Sequence, residues 1–253
     1  MSSAADPTVR SDASVDAEEI AKFAALAEEW WDPAGKFRAL HRFNPTRLGF
    51  IRDRVAAHHG RDPLKGRPLD GLAVLDIGCG GGLLAEPLTR LGARVTAIDA
   101  AERTVKIAAQ HARDGSLAID YRHATAEQLA EAGEAYDVVL NMEIVEHLAD
   151  VAAFFVASCA LVKPGGLMVV ATLNRTPKAF LMAIVGAEYV LGWLPRGSHD
   201  WRRFLRPSEL AAELRANAME VSELTGVSYN PLADTWHLSR DLGVNYMVLA
   251  AKS

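Results

Sequence analysis

Between Leu72 and Asn174, apolar runs of strand length alternate with stretches of helical period. "LAVLDIG" and "RVTAIDA" read as buried strands, and "LLAEPLTRLG" and "AERTVKIAAQHARDG" as the helices that follow them. The alternation continues through "AIDYRHA", "AYDVVLNMEIV", the helix "VAAFFVASCALVKPGG" and the strand "LMVVATLN". Parallel strands need a crossover between them, so this order predicts an α/β, Rossmann-like fold: a mostly parallel seven-stranded sheet with helices on both faces. A helix near "PSELAAELRANA" and two strands, "EVSELTGVSYN" and "NYMVLAAK", complete it.

The remaining segments attach to that core. Residues 1–15 are small and polar, without an apolar signal core or an Arg-rich pattern, and read as a disordered tail. Residues 16–60 form an N-terminal helical cap: Ile20, Phe23, Leu26, Trp30 and Trp31 recur at helical spacing, and a second helix is expected from about Pro45. "GRDPLKGRPLDG" connects the cap to the cofactor-binding core, 72–174. An apolar insertion, 175–205, and a C-terminal substrate-side part, 206–253, finish a single domain. The two cysteines, Cys79 and Cys159, lie far apart and form neither a disulfide framework nor a zinc motif, which suits a reducing compartment. A net charge of −5 gives no basic field, so nucleic acid is not an expected partner.

The first strand runs into "LDIGCGGGLLAE". Gly78, Gly80 and Gly82 form G-x-G-x-G, but Leu83 stands where a dinucleotide fingerprint wants its third glycine, and no Lys-Ser/Thr follows to make a P-loop. Asp76, two residues before the bend, would repel a pyrophosphate and attract a cation. S-adenosylmethionine carries two cationic groups, a sulfonium and an α-ammonium. Asp99, 21 residues after Gly78 at the end of the second strand, is placed to accept hydrogen bonds from ribose hydroxyls, a feature that would serve NAD as well. A bare strand-to-helix turn with Asp76 as a helix cap is the structural alternative.

Taken with "LVKPGGLMVV", these elements resemble the class I methyltransferases. The segments "EEIAKFAALAEEWWDPAGKFRALHRFNPTRLGFI", "NMEIVEHLAD", "ATLNRTPKAFLMAIVGAEYVL", "PRGSHDWRRFLRPSEL", "TGVSYNPLADTW" and "VNYMVLAAK" narrow the resemblance to the quinone-ring O-methyltransferases of ubiquinone biosynthesis, with Ala171 where that family would have Ser. The resemblance implies S-adenosylmethionine as cofactor and methylation of ring hydroxyls on polyprenylated phenols and catechols, 2-polyprenyl-6-hydroxyphenol and 3-demethylubiquinol. It implies cofactor contacts at Arg47, Gly78, Asp99 and Met142, the last packing on adenine. Arg47 could pair with the cofactor's carboxylate, or be a solvated surface Arg beside Arg52 and Arg54.

A phenol of pKa about 10 needs a base or a cation to become a nucleophile at neutral pH. Glu143, Glu146 and His147 fall at i, i+3, i+4, one face if the segment is helical. They could hold a divalent metal, Mg²⁺ by the resemblance, or His147 could take the proton with a glutamate orienting it. An acidic helix start with a surface His would show the same spacing. His199 and Asp200 are a second candidate base pair, or a loop cap. Finally, "NRTPKAFLMAIVGAEYVLGWLPRG" joins an apolar stretch, interrupted by Glu188, to Arg175, Lys178, Trp193 and Arg196, which suits an anionic membrane surface or a lid over the substrate. The expectation is a cytoplasmic protein peripheral to the inner face of the cell membrane, near other ubiquinone-biosynthesis enzymes.

Overall fold

The computed structural model describes residues 14–182, 200–231 and 233–253. The strands are β1 (Ala73–Ile77), β2 (Arg94–Asp99), β3 (Asp120–His123), β4 (Tyr136–Met142), β5 (Val162–Leu173), β6 (Met219–Asn230), β7 (Thr235–Ser239) and β8 (Asn245–Lys252). They lie side by side as β3-β2-β1-β4-β5-β8-β6-β7. The first five are parallel, while β8 runs antiparallel between β5 and β6. The described sheet therefore has eight strands instead of the expected seven. The addition is β7, hydrogen-bonded to β6 as an antiparallel edge strand.

The helices are α1 (Ala17–Ala25), α2 (Arg38–His58), α3 (Ala85–Arg90), α4 (Glu102–Asp114), α5 (Ala126–Glu131), α6 (Val151–Ala160), α7 (Pro177–Ala179) and α8 (Pro207–Ala216). The central strands alternate sides with period two. Val138, Leu140, Leu167 and Val169 pack in one cluster with Phe50, Ile51 and Val55 of α2. Val139, Met168 and Val170 pack in the other with Phe154 and Phe155 of α6 and Leu210 of α8. Both faces are covered, which is why these strands read as continuous apolar runs.

Two expectations for the N-terminal part change. The second helix starts at Arg38, not near Pro45, and Pro45 lies inside it. An interior proline costs about 3 kcal/mol through a lost backbone bond and a clash. Phe43, Arg47, Phe50, Ile51 and Val55, all buried along the same helix, offset that cost. Ser14 and Val15, assigned to the tail, belong to the folded part: Ser14 is buried and its carbonyl accepts from the Ala149 amide at 2.9 Å. The rest of the tail, and residues 183–199 of the insertion with Glu188, Trp193, Arg196 and His199, lie outside the described residues.

Candidate active site

β1 ends at the sheet's switch point, with Ile77 opposite Ile98 of β2 on one side and Asn141 of β4 on the other. Crossovers leave in opposite directions there, opening a crevice beyond the strand ends. The glycine bend lies in it, its Gly78 and Cys79 amides donating to the Ile98 carbonyl at 2.9 and 3.0 Å. Gly78 has φ +70°, and a Cβ there would meet Ile144 Cδ1 at 2.6 Å. Gly80 has φ +53°, and its Cβ would meet the Trp30 ring at 2.4 Å. Both positions thus require glycine for conformation and for space. The Trp pair of the cap is the second reason: Trp30 lies on the bend, and Trp31 Nε1 donates to the Gly81 carbonyl at 2.9 Å. Trp31 stacks on His111 of α4 with ring centroids 3.5 Å apart, and His111 Nδ1 lies 2.5 Å from buried Glu86. Sequence reading placed these tryptophans on a helix; they lie instead in the turn after Ala27–Glu29, where they press on the glycine bend.

Asp99 closes β2 beside this bend. Its Oδ2 accepts from the Gly80 amide at 3.0 Å and its Oδ1 from the Ala101 amide at 2.8 Å, so the carboxylate holds the turn and still has lone pairs toward the cavity. Burial raises its pKa, against the pull of those two amides. Asp76 is 2% exposed, and its Oδ2 has no hydrogen-bond partner among the described residues. Burial pushes Asp76 up to about 7, with Arg47 opposing and Asp99 adding to the rise. Arg47, 4% exposed on α2, lines the same cavity, so its reading as a surface residue is excluded. Desolvation lowers its pKa while Glu143 and Asp76 raise it. Its Nη2 donates to Asn44 Oδ1 at 3.1 Å and its Nε is unpartnered among the described residues. A buried guanidinium and a buried carboxylate with spare hydrogen-bonding capacity face one cavity, a pair suited to a zwitterionic ligand.

The segment after β4 departs from expectation. Met142 ends the strand, buried and lining the cavity. Glu143 then takes φ +55°, and only Val145–His147 form a 3₁₀ turn. The helical face that would align Glu143, Glu146 and His147 is not built. Glu146 is turned inward, 3% exposed, accepting from Thr172 Oγ1 at 2.8 Å. Its burial, and then the Glu143 charge, push it up to about 8. His147 Nδ1 instead meets Glu19 Oε2 of α1 at 2.7 Å. Among the described residues no three His, Cys, Asp or Glu side chains converge as a metal set. The expected shared helical face is thus replaced by two separate engagements, Glu146 with Thr172 and His147 with Glu19. The partner of His147 was the missed residue; its only sequence signal was a glutamate in the first turn of an amphipathic helix.

Arg47, Asp76, Asp99, Met142, Glu143 and His147 share one cavity of about 640 Å³. Its apolar wall includes Phe23, Phe37, Phe43, Leu173, Trp236 and Val244. The start of the insertion forms an edge of it, where Leu181 and Met182 line the cavity while remaining 62% and 49% exposed. The basic residues described there are engaged: Arg175 pairs with Glu209 and Lys178 with Asp241. Asp200 takes the loop-cap role, accepting from the Arg202 amide at 3.0 Å. Whether it pairs with His199 lies outside the described residues.

Residues 75–170 match the family model described as a methyltransferase domain. A protein of Parvibaculum lavamentivorans named ubiquinone biosynthesis O-methyltransferase is 57% identical over 253 residues, covering 100% of this chain and 99% of its own. One of Brucella suis with the same name is 58% identical over 238 residues, 94% of this chain and 96% of its own. Among solved structures, magnesium protoporphyrin IX methyltransferase of Synechocystis PCC 6803, with bound S-adenosylhomocysteine, superposes with TM-score 0.62 at 20% identity, covering 92% of this chain and 95% of that one. The 1,6-didemethyltoxoflavin-N1-methyltransferase of Burkholderia thailandensis gives TM-score 0.60 at 18% identity over 93% and 87%. At these identities the structural likeness concerns the fold.

Proposed function

The chain belongs to the ubiquinone biosynthesis O-methyltransferases, and from that premise we propose that it methylates ring hydroxyls of polyprenylated phenols and catechols, 2-polyprenyl-6-hydroxyphenol and 3-demethylubiquinol. The enzyme is an S-adenosylmethionine-dependent O-methyltransferase. The observation that carries the substrate reading is the cavity itself, in which a buried Asp76–Arg47 end, an apolar aromatic wall and His147 face one space. S-adenosylmethionine supplies an electrophilic methyl group on a sulfonium. Asp76 would hold its ammonium, Arg47 its carboxylate, Asp99 its ribose hydroxyls, and Met142 would pack on its adenine.

His147 is the base in this reading. With Nδ1–H donated to Glu19, its Nε2 lone pair takes the phenol proton as the ring oxygen forms its bond to the methyl group and the sulfonium–methyl bond breaks. A panel of acceptors tests the substrate class: kcat/KM rises from a bare catechol to its short-chain prenyl analogue, because the apolar wall gains contact area. Equal values for the two would contradict it.

Asp76 gives the site a pH signature. Its native pKa lies above the unfolded value of about 3.9. Between that value and 7 the native state binds more protons, so this group's contribution to stability is fully present below about pH 3.9 and is lost as pH rises toward 7. An ammonium ligand binds the ionised form. Cofactor affinity is therefore expected to fall toward tenfold per pH unit below 7, with proton uptake by buffer visible in calorimetry at pH 6. Asp76→Asn abolishes the linkage; wild-type heats independent of buffer at pH 6 would contradict it.

No helix among the described residues is long and apolar enough to cross a membrane. We infer peripheral docking, since Phe180, Leu181 and Met182 are 47%, 62% and 49% exposed in succession, and Leu181 and Met182 lie at the cavity edge. A prenyl tail held in the bilayer could then leave its ring in the cavity. Wild type is expected to co-sediment with vesicles containing anionic lipid, and Leu181→Glu with Met182→Glu to lower the bound fraction severalfold. Absence of wild-type binding would overturn the docking.

A further inference from the structure

We propose that Glu19 is a positioning residue for His147, so that the base is complete only while the N-terminal helix roofs the cavity. The inference rests on the reading of His147 as base and adds the element that sets it. Asp16 caps α1 by accepting from the Glu18 and Glu19 amides at 3.0 and 3.4 Å. No residue of α1 is buried, although Ile20 and Phe23 line the cavity. Phe23 packs against the small cluster of Ala27, Trp30, Phe37 and Leu83, and polar contacts fix the rest of the helix. Those contacts are specific: Arg203 Nη2 meets Asp16 Oδ2 at 2.9 Å, the Ala149 amide meets the Ser14 carbonyl at 2.9 Å, and Glu19 meets His147 at 2.7 Å. Phe23 places its ring edge-on to the same imidazole, with centroids 5.0 Å apart.

An imidazole has two tautomers, and only the one with the proton on Nδ1 leaves Nε2 able to accept from a phenol. A carboxylate at Nδ1 selects that tautomer and stabilises the imidazolium formed during transfer. Glu19 supplies it from α1, whose Ile20 and Phe23 line the same cavity. Docking of α1 and selection of the Nδ1–H tautomer are thereby coupled, because the carboxylate reaches the imidazole only from the docked helix.

The test uses the full-length enzyme. Glu19→Ala is expected to lower single-turnover methyl transfer about 10- to 100-fold with a smaller change in KM for the phenol. Glu19→Gln, whose amide oxygen still accepts from Nδ1–H, is expected to recover most of that loss. The ¹⁵N spectrum of the His147 imidazole, assigned with His147→Asn, should show the Nδ1–H tautomer in wild type and Glu19→Gln, and a tautomer mixture in Glu19→Ala. Double-mutant combination with Asp16→Ala should be less than additive, since both release the same helix. If His147→Ala retains full turnover, the base reading fails. If His147→Ala is inactive while Glu19→Ala keeps kcat within twofold and leaves the ¹⁵N pattern unchanged, the positioning role fails and the base reading stands.

Discussion

Replacing His147 with alanine should lower kcat for methyl transfer by about 10²- to 10³-fold while leaving cofactor affinity within about twofold. The size follows from the acceptor. A phenol of pKa about 10 is ionised to about one part in 10³ at pH 7, a deficit of about 4 kcal/mol that a base in contact with the hydroxyl removes. His147 lines the cavity and is only 15% exposed, so bulk buffer is a poor substitute. The variant must then rely on phenolate formed in solution, and its rate should climb about tenfold per pH unit toward the acceptor's own pKa. Steady-state kinetics from pH 6 to 9 provide the check. A variant with wild-type kcat, or a slow variant indifferent to pH, would remove the histidine from the chemistry.

Asp99→Ala carries the largest expected effect on binding. The carboxylate holds the Gly80 and Ala101 amides and faces the cavity with its remaining lone pairs. If the ribose lies where proposed, truncation removes two charge-assisted bonds to it, each about 1.5–3 kcal/mol, and it leaves the Gly80 amide of the bend without its acceptor. Cofactor affinity should fall at least about 100-fold. Asp99→Asn keeps the volume and one acceptor, and should fall between the two. Titration calorimetry distinguishes them. An alanine variant within a few-fold of wild type would mean that the cofactor's sugar lies elsewhere.

Much of this was legible in the chain because burial on both faces of a parallel sheet writes itself as unbroken apolar runs, and the carboxylates at Asp76 and Asp99 stand at fixed offsets from the bend. What was not legible involves choices made by tertiary contact. Pro45 reads locally as a helix start, yet the buried stripe from Phe43 to Val55 carries the helix through it. Glu143 at φ +55° is a backbone state that a spacing rule cannot see, and it separates residues a helical wheel would unite. β7 is a five-residue edge strand, mostly exposed, without the alternation that would reveal it. Glu19 and His147 are 128 positions apart, and only the docking of α1 brings them together.

The site of the transferred methyl decides the account most directly. The purified enzyme would be given S-adenosylmethionine carrying ¹³C in its methyl group and a short-chain prenylated catechol, and the product read by carbon NMR. The label is expected on a ring oxygen, with S-adenosylhomocysteine formed in equal amount and no transfer by Asp99→Ala at the same cofactor concentration. Label on a ring carbon, or no label on the catechol while the cofactor binds normally, would contradict it.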